Sequence, residues 1–576
     1  MARFAILDLD KCEPDICGKV CHKFCPRVLS GDETVKFEGK FPVIDEEQCI
    51  GCGICVRKCP MKAIDIINTP EELENPIHQY GVNSFRLFGL PVPKFGSVVA
   101  IVGVNGIGKS TALKILAGEL KPNLGNFDSS VTWKEVVSEF AGQELQNYLE
   151  KLGKGEIKAV YKPQYVEQIP KLFKGTAAQL LKIDKSHELA RALSLEAYLD
   201  RDLDKLSGGE LQKVACAACI LKDVDLYMFD EPSAYLDVRE RLSLAKVIRS
   251  LAAKGKAVIV VEHDLIVSDY LADFAHILYG KARGYGVVSK SYSSKAGINI
   301  YLNGFLPEEN VRFRKEAITF RKREVYRMLE QITLMEYPEI KKAFNGFSLD
   351  AKPGTIRKRE VIGVLGANAT GKTTFVKILA GVIKPDTPFE SALKVSYKPQ
   401  YLAPDNRLVA EVLESAGFSK HAGSFQALEL DELMARELNT LSGGELQRVA
   451  IVECICREAD IYLLDEPSAY LDVEQRIQVA KVIADHMSRR EKTALVVDHD
   501  LLFIDYLSSR LIVFEGEPGK AGIANPSEDM AAGMNRFLKS LDMTFRRDPE
   551  TIRPRANKKD SVLDREQKGS GKYYYV

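Results

Sequence analysis

Short apolar runs recur at matching places in the two halves of this chain. "SVVAIVG" (97–103) and "EVIGVLG" (360–366) end in glycine, while "LYMFDE" (226–231) and "IYLLDE" (461–466) end in two acids. A third pair of runs leads into "EHD" at 262–264 and "DHD" at 498–500. Continuous apolar runs of this length, bounded by glycine or charge, predict buried strands. The pattern changes between 129 and 157. There Val136, Val137, Phe140, Leu145, Tyr148, Leu149 and Leu152 flank Ala141-Gly142 and predict two short amphipathic helices. The single tryptophan, Trp133, lies in the same stretch. Nowhere do about 18 apolar residues run together, so no membrane span is predicted.

The matching runs belong to a longer repeat. "YKPQ" stands at 161–164 and 397–400, "LSGGELQ" at 206–212 and 441–447, and "DEPSAYLDV" at 230–238 and 465–473. Their offsets are 235 or 236 residues. The glycine-rich loops "GVNGIGKS" (103–110) and "GANATGKT" (366–373) are 263 apart, so the first copy holds 27 extra residues before its "YKPQ". The helical stretch at 129–157 accounts for them. Its presence in one copy makes it a candidate docking surface, with plain surface elaboration as the alternative.

Both loops fit G-x-x-x-x-G-K-[ST], in which glycines let backbone N–H groups cradle phosphates at a helix N-terminus. Lys109 and Lys372 are placed to reach the β- and γ-phosphates, and Ser110 and Thr373 to offer Mg²⁺ a hydroxyl. The loop sets are Gly103, Asn105, Gly106, Gly108 and Thr111 in the first copy, and Gly366, Asn368, Gly371 and Thr374 in the second. A buried strand that ends in two carboxylates needs compensating charge. Bound Mg²⁺ would satisfy Asp230 and Asp465, leaving Glu231 and Glu466 to polarise the attacking water.

Composition sets outer limits. At 576 residues the chain exceeds what one core supports. Apolar content of 45% with 28% charged residues is ordinary for a globular protein. Lysine plus arginine and aspartate plus glutamate both number 80, which removes any global nucleic-acid signature. The opening "MARFAILDLDKC" lacks a secretory core, so the expected location is the cytoplasm, where 12 cysteines predict metal ligation over disulfides. Cys216, Cys219, Cys454 and Cys456 sit in apolar stretches and are expected to be buried helix residues. The other eight lie within the first 59 residues. Cys49, Cys52, Cys55 and Cys59-Pro60 have the spacing of bacterial [4Fe–4S] ferredoxins; Cys12, Cys17, Cys21 and Cys25-Pro26 form a wider set. Structural zinc is the alternative for such thiols.

Taken together, the loops, "LSGGE", the acid pairs and the histidines resemble the nucleotide-binding cassettes of ABC proteins over about 75–525. The resemblance implies an α/β fold with two cassettes in tandem, ATP hydrolysis with Mg²⁺, and head-to-tail pairing in which each site is composite. Gln164 and Gln400 then sense Mg²⁺, and His263 and His499 contact the γ-phosphate. Ser442 and Gly444 would complete the site of Lys109, and Ser207 and Gly209 that of Lys372. Tyr80 or Phe85, and Phe344 or Phe347, are candidates for adenine stacking. In two-cluster ferredoxins the fourth cysteine of each run serves the other cluster. By that rule one [4Fe–4S] cluster takes Cys12, Cys17, Cys21 and Cys59, and the other Cys25, Cys49, Cys52 and Cys55.

A small α+β ferredoxin-like head, twin cassettes and an insert in the first alone narrow the match. The chain resembles ABC subfamily E, the RNase L inhibitor family of archaea and eukaryotes. "GINIYLNGFLPEENVRFR" (297–314) and "FRRDPETIRPRANKKDS" (545–561) are similar to that family's hinge segments. The implied domains are 1–74 (iron–sulfur head), 75–292 (first cassette), 293–325 (hinge), 326–528 (second cassette) and 529–576 (C-terminal hinge and tail). The implied function is ribosome recycling: a monomer binds a terminated ribosome beside a release factor or its paralogue. ATP-driven closure of its cassettes moves the head and splits the subunits. The rival readings are a soluble ATPase subunit of a membrane transporter, a tandem-cassette translation factor of the ABC-F type that stays on intact ribosomes, and an ATP-coupled electron carrier. Expected contacts with small-subunit rRNA come from Arg312, Arg314, Lys315, Arg321, Lys322 and Arg323, and from Arg546, Arg547, Arg553, Arg555, Lys558 and Lys559, with a solvated basic face as the alternative.

Overall fold

The computed structural model describes residues 2–9, 11–69, 73, 75–127, 130–320, 332–390 and 393–575. Among them the apolar runs are the central strands of two equivalent sheets. In the first, Phe274–Lys281, Val98–Val102, Ala257–Val261, Leu226–Asp230 and Ala159–Lys162 lie side by side and parallel. The second repeats this with Arg510–Glu517, Val361–Leu365, Thr493–Val497, Ile461–Asp465 and Val395–Lys398. The three inner strands of each set are buried along their whole length, because helices cover both faces of a parallel sheet. Each sheet then continues through three further strands, among them Arg86–Phe88 in the first copy and Phe347–Ala351 in the second. The register aligns Asp230 with Val261 and Asp465 with Val497, so the acids stand at the strands' carboxyl ends beside the glycine-rich loops.

The insert folds into the two expected helices, Trp133–Glu139 and Leu145–Gly153. A capping box between Thr132 and Glu135 starts the first. Val136, Phe140, Leu145, Tyr148 and Leu149 are buried in the same cluster as Leu113 and Leu116, and the Tyr148 hydroxyl donates to the Leu116 carbonyl at 2.6 Å. Its apolar face is therefore spent on the cassette, and polar residues such as Lys134, Ser138 and Glu139 face outward.

The head pairs Ala2–Leu7 with Ile64–Thr69 and Val35–Glu38 with Phe41–Ile44, and its described residues include four helices of about one turn each. It docks on the first cassette. Ile6 and Ile67 pack on Tyr285, Glu46 pairs with Arg86 at 2.7 Å, and Asp65 pairs with Lys281 at 2.7 Å. Asn83 holds the backbone of Ile44 from both sides, at 2.8 and 3.0 Å.

The C-terminal segment overturns part of the basic-surface expectation. Arg553 is fully buried and Arg555 nearly so, and both pair with the buried Asp269 of the helix Leu265–Leu271. Arg547 pairs with Asp505 of the equivalent helix Leu501–Leu507, whose carboxylate also takes the hydroxyls of Tyr574 and Tyr575. One segment thus grips the same acid in both repeats. Arg314 donates to the Tyr301 carbonyl and pairs with Glu474 at 3.1 Å, so it too is committed within the protein. Arg312, Lys315, Lys558 and Lys559 are exposed; Arg321, Lys322 and Arg323 lie outside the described residues. Among the described residues no helix is long and apolar enough to cross a membrane.

Candidate functional site

Each glycine-rich loop leads into a helix, Lys109–Leu116 or Lys372–Leu379, through a glycine with φ of 98° (Gly108) or 92° (Gly371). A side chain there would also collide with an aromatic ring. A Cβ on Gly108 would stand 2.6 Å from Phe85, and one on Gly371 2.9 Å from Phe347. Phe85 and Phe347 therefore lie against equivalent loops. Tyr80 is exposed with its hydroxyl 3.1 Å from that of Thr111, and Phe344 is exposed and stacked on Phe347.

Lys109 Nζ donates to the carbonyls of Gly103 and Val104 at 2.9 Å, and Lys372 Nζ to those of Gly366 and Ala367 at 2.9 and 2.7 Å. Burial lowers the pKa of both ammonium groups, that of Lys372 to about 8, against the pull of neighbouring acids. A buried ammonium that lacks enough counter-charge gains most from an incoming polyphosphate.

The acid pairs differ between the copies. Asp230 Oδ2 accepts from the hydroxyls of Ser110 at 2.6 Å and Tyr161 at 3.0 Å. Asp465 is fully buried and takes no close hydrogen bond among the described residues, although the Thr373 hydroxyl stands near enough to favour its ionised form. A buried carboxylate so weakly held suits a hard cation held by oxygen ligands. Glu231 Oε1 accepts from Gln164 Nε2 at 2.7 Å and lies 3.3 Å from His263 Nε2. Glu466 Oε1 accepts from Gln400 at 2.8 Å, with His499 Nε2 at 3.7 Å. Burial opposes ionisation of Glu231, but His263, Lys109 and Arg476 outweigh it and bring its pKa to about 2. Burial, Asp498 and Asp465 raise that of Glu466 to about 7.

The cassettes meet head to tail. The N–H of Asn105 donates to Asp472 at 3.2 Å, and that of Asn368 to Asp237 at 2.7 Å, each across the interface. Tyr470, two residues before Asp472, packs over Gly443, and its carbonyl would stand 3.0 Å from a Cβ on Gly444. Tyr235 relates to Gly208 and Gly209 in the same way, with 2.9 Å at Gly209. Ser442 and Ser207 cap the helices Gly443–Cys456 and Gly208–Ile220. Each "LSGGE" is thus tied to a turn that touches the opposite glycine-rich loop. Sequence reasoning passed over Asp237 and Asp472, although both stand in the repeated "DEPSAYLDV".

In the head, Cys25, Cys49, Cys52 and Cys55 line one small pocket together with Val35, Ile44, Ile50 and Ile66. Burial raises the thiol pKa of Cys12, Cys21 and Cys55 to about 11. Neighbouring thiols add to it, and they fall into two groups. Cys12 and Cys21 are affected by Cys17 and Cys59, whereas Cys49 and Cys55 are affected by Cys25 and Cys52. Those are the two sets that the crossed-cysteine rule gives. Among the described residues no three thiols converge tightly enough to hold a single metal ion. Thiols spread around a mostly apolar cavity fit a cluster better than a lone zinc. The later cysteines, Cys216, Cys219, Cys454 and Cys456, are all buried.

Comparison with known proteins agrees with this geometry. The ABC transporter family model matches residues 93–234 and 349–469, and the 4Fe-4S binding domain model matches 42–65. The chain is 47% identical to translation initiation factor RLI1 of Saccharomyces cerevisiae, over 100% of this chain and 98% of that one. A solved structure of archaeal ribosomal stalk protein aP1 with archaeal ribosome recycling factor aABCE1 matches at 53% identity and a TM-score of 0.83, covering 88% of this chain and 100% of the other. A structure of ribosome-bound archaeal Pelota and ABCE1 matches at 53% identity with a TM-score of 0.93, over 100% and 99% of the two chains. Full-length identity at this level, joined to twin cassettes behind a cysteine-rich head, places the chain in ABC subfamily E, the RNase L inhibitor family.

Proposed function

We propose that this chain is a cytoplasmic ATPase that splits ribosomes into subunits after termination, working beside a release factor or its paralogue. The observation that carries this reading is the full-length likeness to the ribosome-bound protein, head included. The position of Arg283 fits a head that moves with the cassettes. Its backbone N–H donates to Gly106 of the first loop at 2.8 Å, while its side chain reaches Asp8 of the head at 3.4 Å and Glu445 of the second cassette at 4.0 Å. Closure around ATP would favour contacts that the open state lacks, and hydrolysis would release them.

The roles follow from the chemistry of the residues. Lys109, Lys372 and the N–H groups of their loops hold the phosphates. Ser110, Gln164 and Asp230 in one site, and Thr373, Gln400 and Asp465 in the other, hold Mg²⁺, which would neutralise charge on the transferring phosphoryl group. Glu231 and Glu466 take the proton of the attacking water, and His263 and His499 contact the γ-phosphate. Ser442 and Gly444 complete the site of Lys109; Ser207 and Gly209 complete the site of Lys372. Phe85 and Phe347 pack on the glycines that lead into the loop helices, while Tyr80 reaches Thr111 and Phe344 stacks on Phe347, so each pair is placed to line its nucleotide. The head cysteines hold two [4Fe–4S] clusters that supply rigidity. Among the described residues the head's main buried cluster holds eight residues, two of them cysteines, which is too small a core of its own.

Light scattering of post-termination ribosomes with release-factor paralogue and ATP tests this reading. Splitting by the cluster-loaded parent, and its loss in Glu231→Gln with Glu466→Gln and in Cys-to-Ser head variants, is the expected result. Brisk ATP turnover with loaded clusters and no splitting would overturn it.

A further inference from the structure

Glu231 and Glu466 have an unusual backbone. Both sit at φ of 47°, in the left-handed region that residues with a Cβ avoid. Something must hold them there. Their N–H groups donate to the Val261 and Val497 carbonyls of the neighbouring strands, at 2.9 and 2.8 Å. Their carbonyls point into the protein and meet two buried donors each.

The first donor is the lysine of "YKPQ". Lys162 ends the strand Ala159–Lys162, has no exposed surface, and sends Nζ to the carbonyls of Asp230 (2.9 Å) and Glu231 (3.4 Å). Lys398 does the same for Asp465 (2.8 Å) and Glu466 (3.4 Å). The second is the last residue of "LSGGELQ". Gln212 and Gln447 are buried, and each donates Nε2 to the glutamate carbonyl at 2.6 Å. A buried ammonium spent on two backbone carbonyls is an expensive arrangement for mere packing. It occurs twice, with the same partners, in halves that differ at most other positions.

We propose that Lys162 with Gln212, and Lys398 with Gln447, are positioning residues that hold each catalytic glutamate's peptide in its left-handed turn. Their target is the main chain, so the glutamate side chain stays free to meet water while its Cα is fixed. If the carbonyl is released, the peptide relaxes toward an ordinary conformation and swings the carboxylate away from the γ-phosphate. The inference rests on the assignment of Glu231 and Glu466 as the bases.

The test uses the full-length, cluster-loaded protein with one site live. Lys398→Met and Gln447→Met are each combined with Glu231→Gln, and Lys162→Met and Gln212→Met with Glu466→Gln. Steady-state ATPase should lose about 10²-fold in kcat. KM for ATP and the affinity for a fluorescent non-hydrolysable analogue should stay within about twofold. If a lysine variant does not fold, the glutamine variant at the same site carries the measurement. Unchanged kcat, or kcat falling together with nucleotide affinity and melting temperature, would overturn the proposal. A Glu231→Gln, Glu466→Gln double variant that hydrolyses ATP at the parent's rate would overturn the glutamate assignment first, and this inference with it.

Discussion

The two ATP sites share every motif yet are chemically unlike. In the first, Asp230 takes two hydroxyls, and Glu231 lies beside His263 with a pKa drawn down to about 2. In the second, Asp465 takes no close hydrogen bond among the described residues, Glu466 is pushed up to about 7, and burial with Lys372 and Arg241 holds His499 well below the usual imidazole range. The visible difference lies in the histidines and in one added charge. His263 Nε2 stands 3.3 Å from Glu231 and draws its pKa down, whereas His499 Nε2 stands 3.7 Å from Glu466. Glu262 and Asp498 are held alike, by the N–H of Asp264 or Asp500 at 3.0 and 2.9 Å and by Ser233 or Ser468. Asp498, however, adds to the burial that raises Glu466. Motif identity thus fixes which atoms are present, while their spacing helps decide their charge.

The largest effect that would break this comparison is loss of both bases. Glu231→Gln with Glu466→Gln should cut phosphate release by about 10²–10⁴-fold, because each removes the proposed general base of its site. Residual turnover near the parent's would mean that neither glutamate takes the proton. Next comes the clasp that joins the helices Leu265–Leu271 and Leu501–Leu507. Arg555→Ala would leave Asp269 buried with weaker pairing and should cost about 3 kcal/mol, read as a lower unfolding midpoint of the cassettes. An unchanged midpoint would show that Arg553 alone suffices. Smaller still is the difference between two tyrosines. Tyr161→Phe deletes the hydroxyl that Asp230 accepts, for about 1 kcal/mol of stability in a chemical denaturation series. Tyr397→Phe removes a hydroxyl with no partner among the described residues and should be close to neutral. Equal effects would erase the asymmetry at Asp230 and Asp465.

Much of this was legible in the chain. Apolar runs gave the central strands, the repeat gave two equivalent sheets, and cysteine spacing gave two thiol sets that the fold keeps apart. The arginines show where reading failed. Arg553 and Arg555 stand in a basic run that suits RNA, but Asp269, their partner, is 286 residues from Arg555 in sequence. Nothing local marks that pairing. Its only trace is that Asp269 and Asp505 each stand six residues after a motif histidine, so the repeat duplicates the acid that the C-terminal segment grips. Lys162 and Gln212 were hidden differently. They lie within repeated motifs, but their target is backbone, and main-chain carbonyls leave no letter in a sequence.

The most direct test of the asymmetry is kcat/KM for Mg-ATP against pH in single-site variants, since that ratio reports groups of the free enzyme. A base with a raised pKa is protonated, and idle, below that value. With Glu231→Gln, leaving Glu466 alone, activity should therefore fall as the pH drops through about 7. With Glu466→Gln, leaving Glu231 alone, no glutamate titration should appear until about pH 2, so the profile stays flat across that window. Two superimposable profiles would contradict the account.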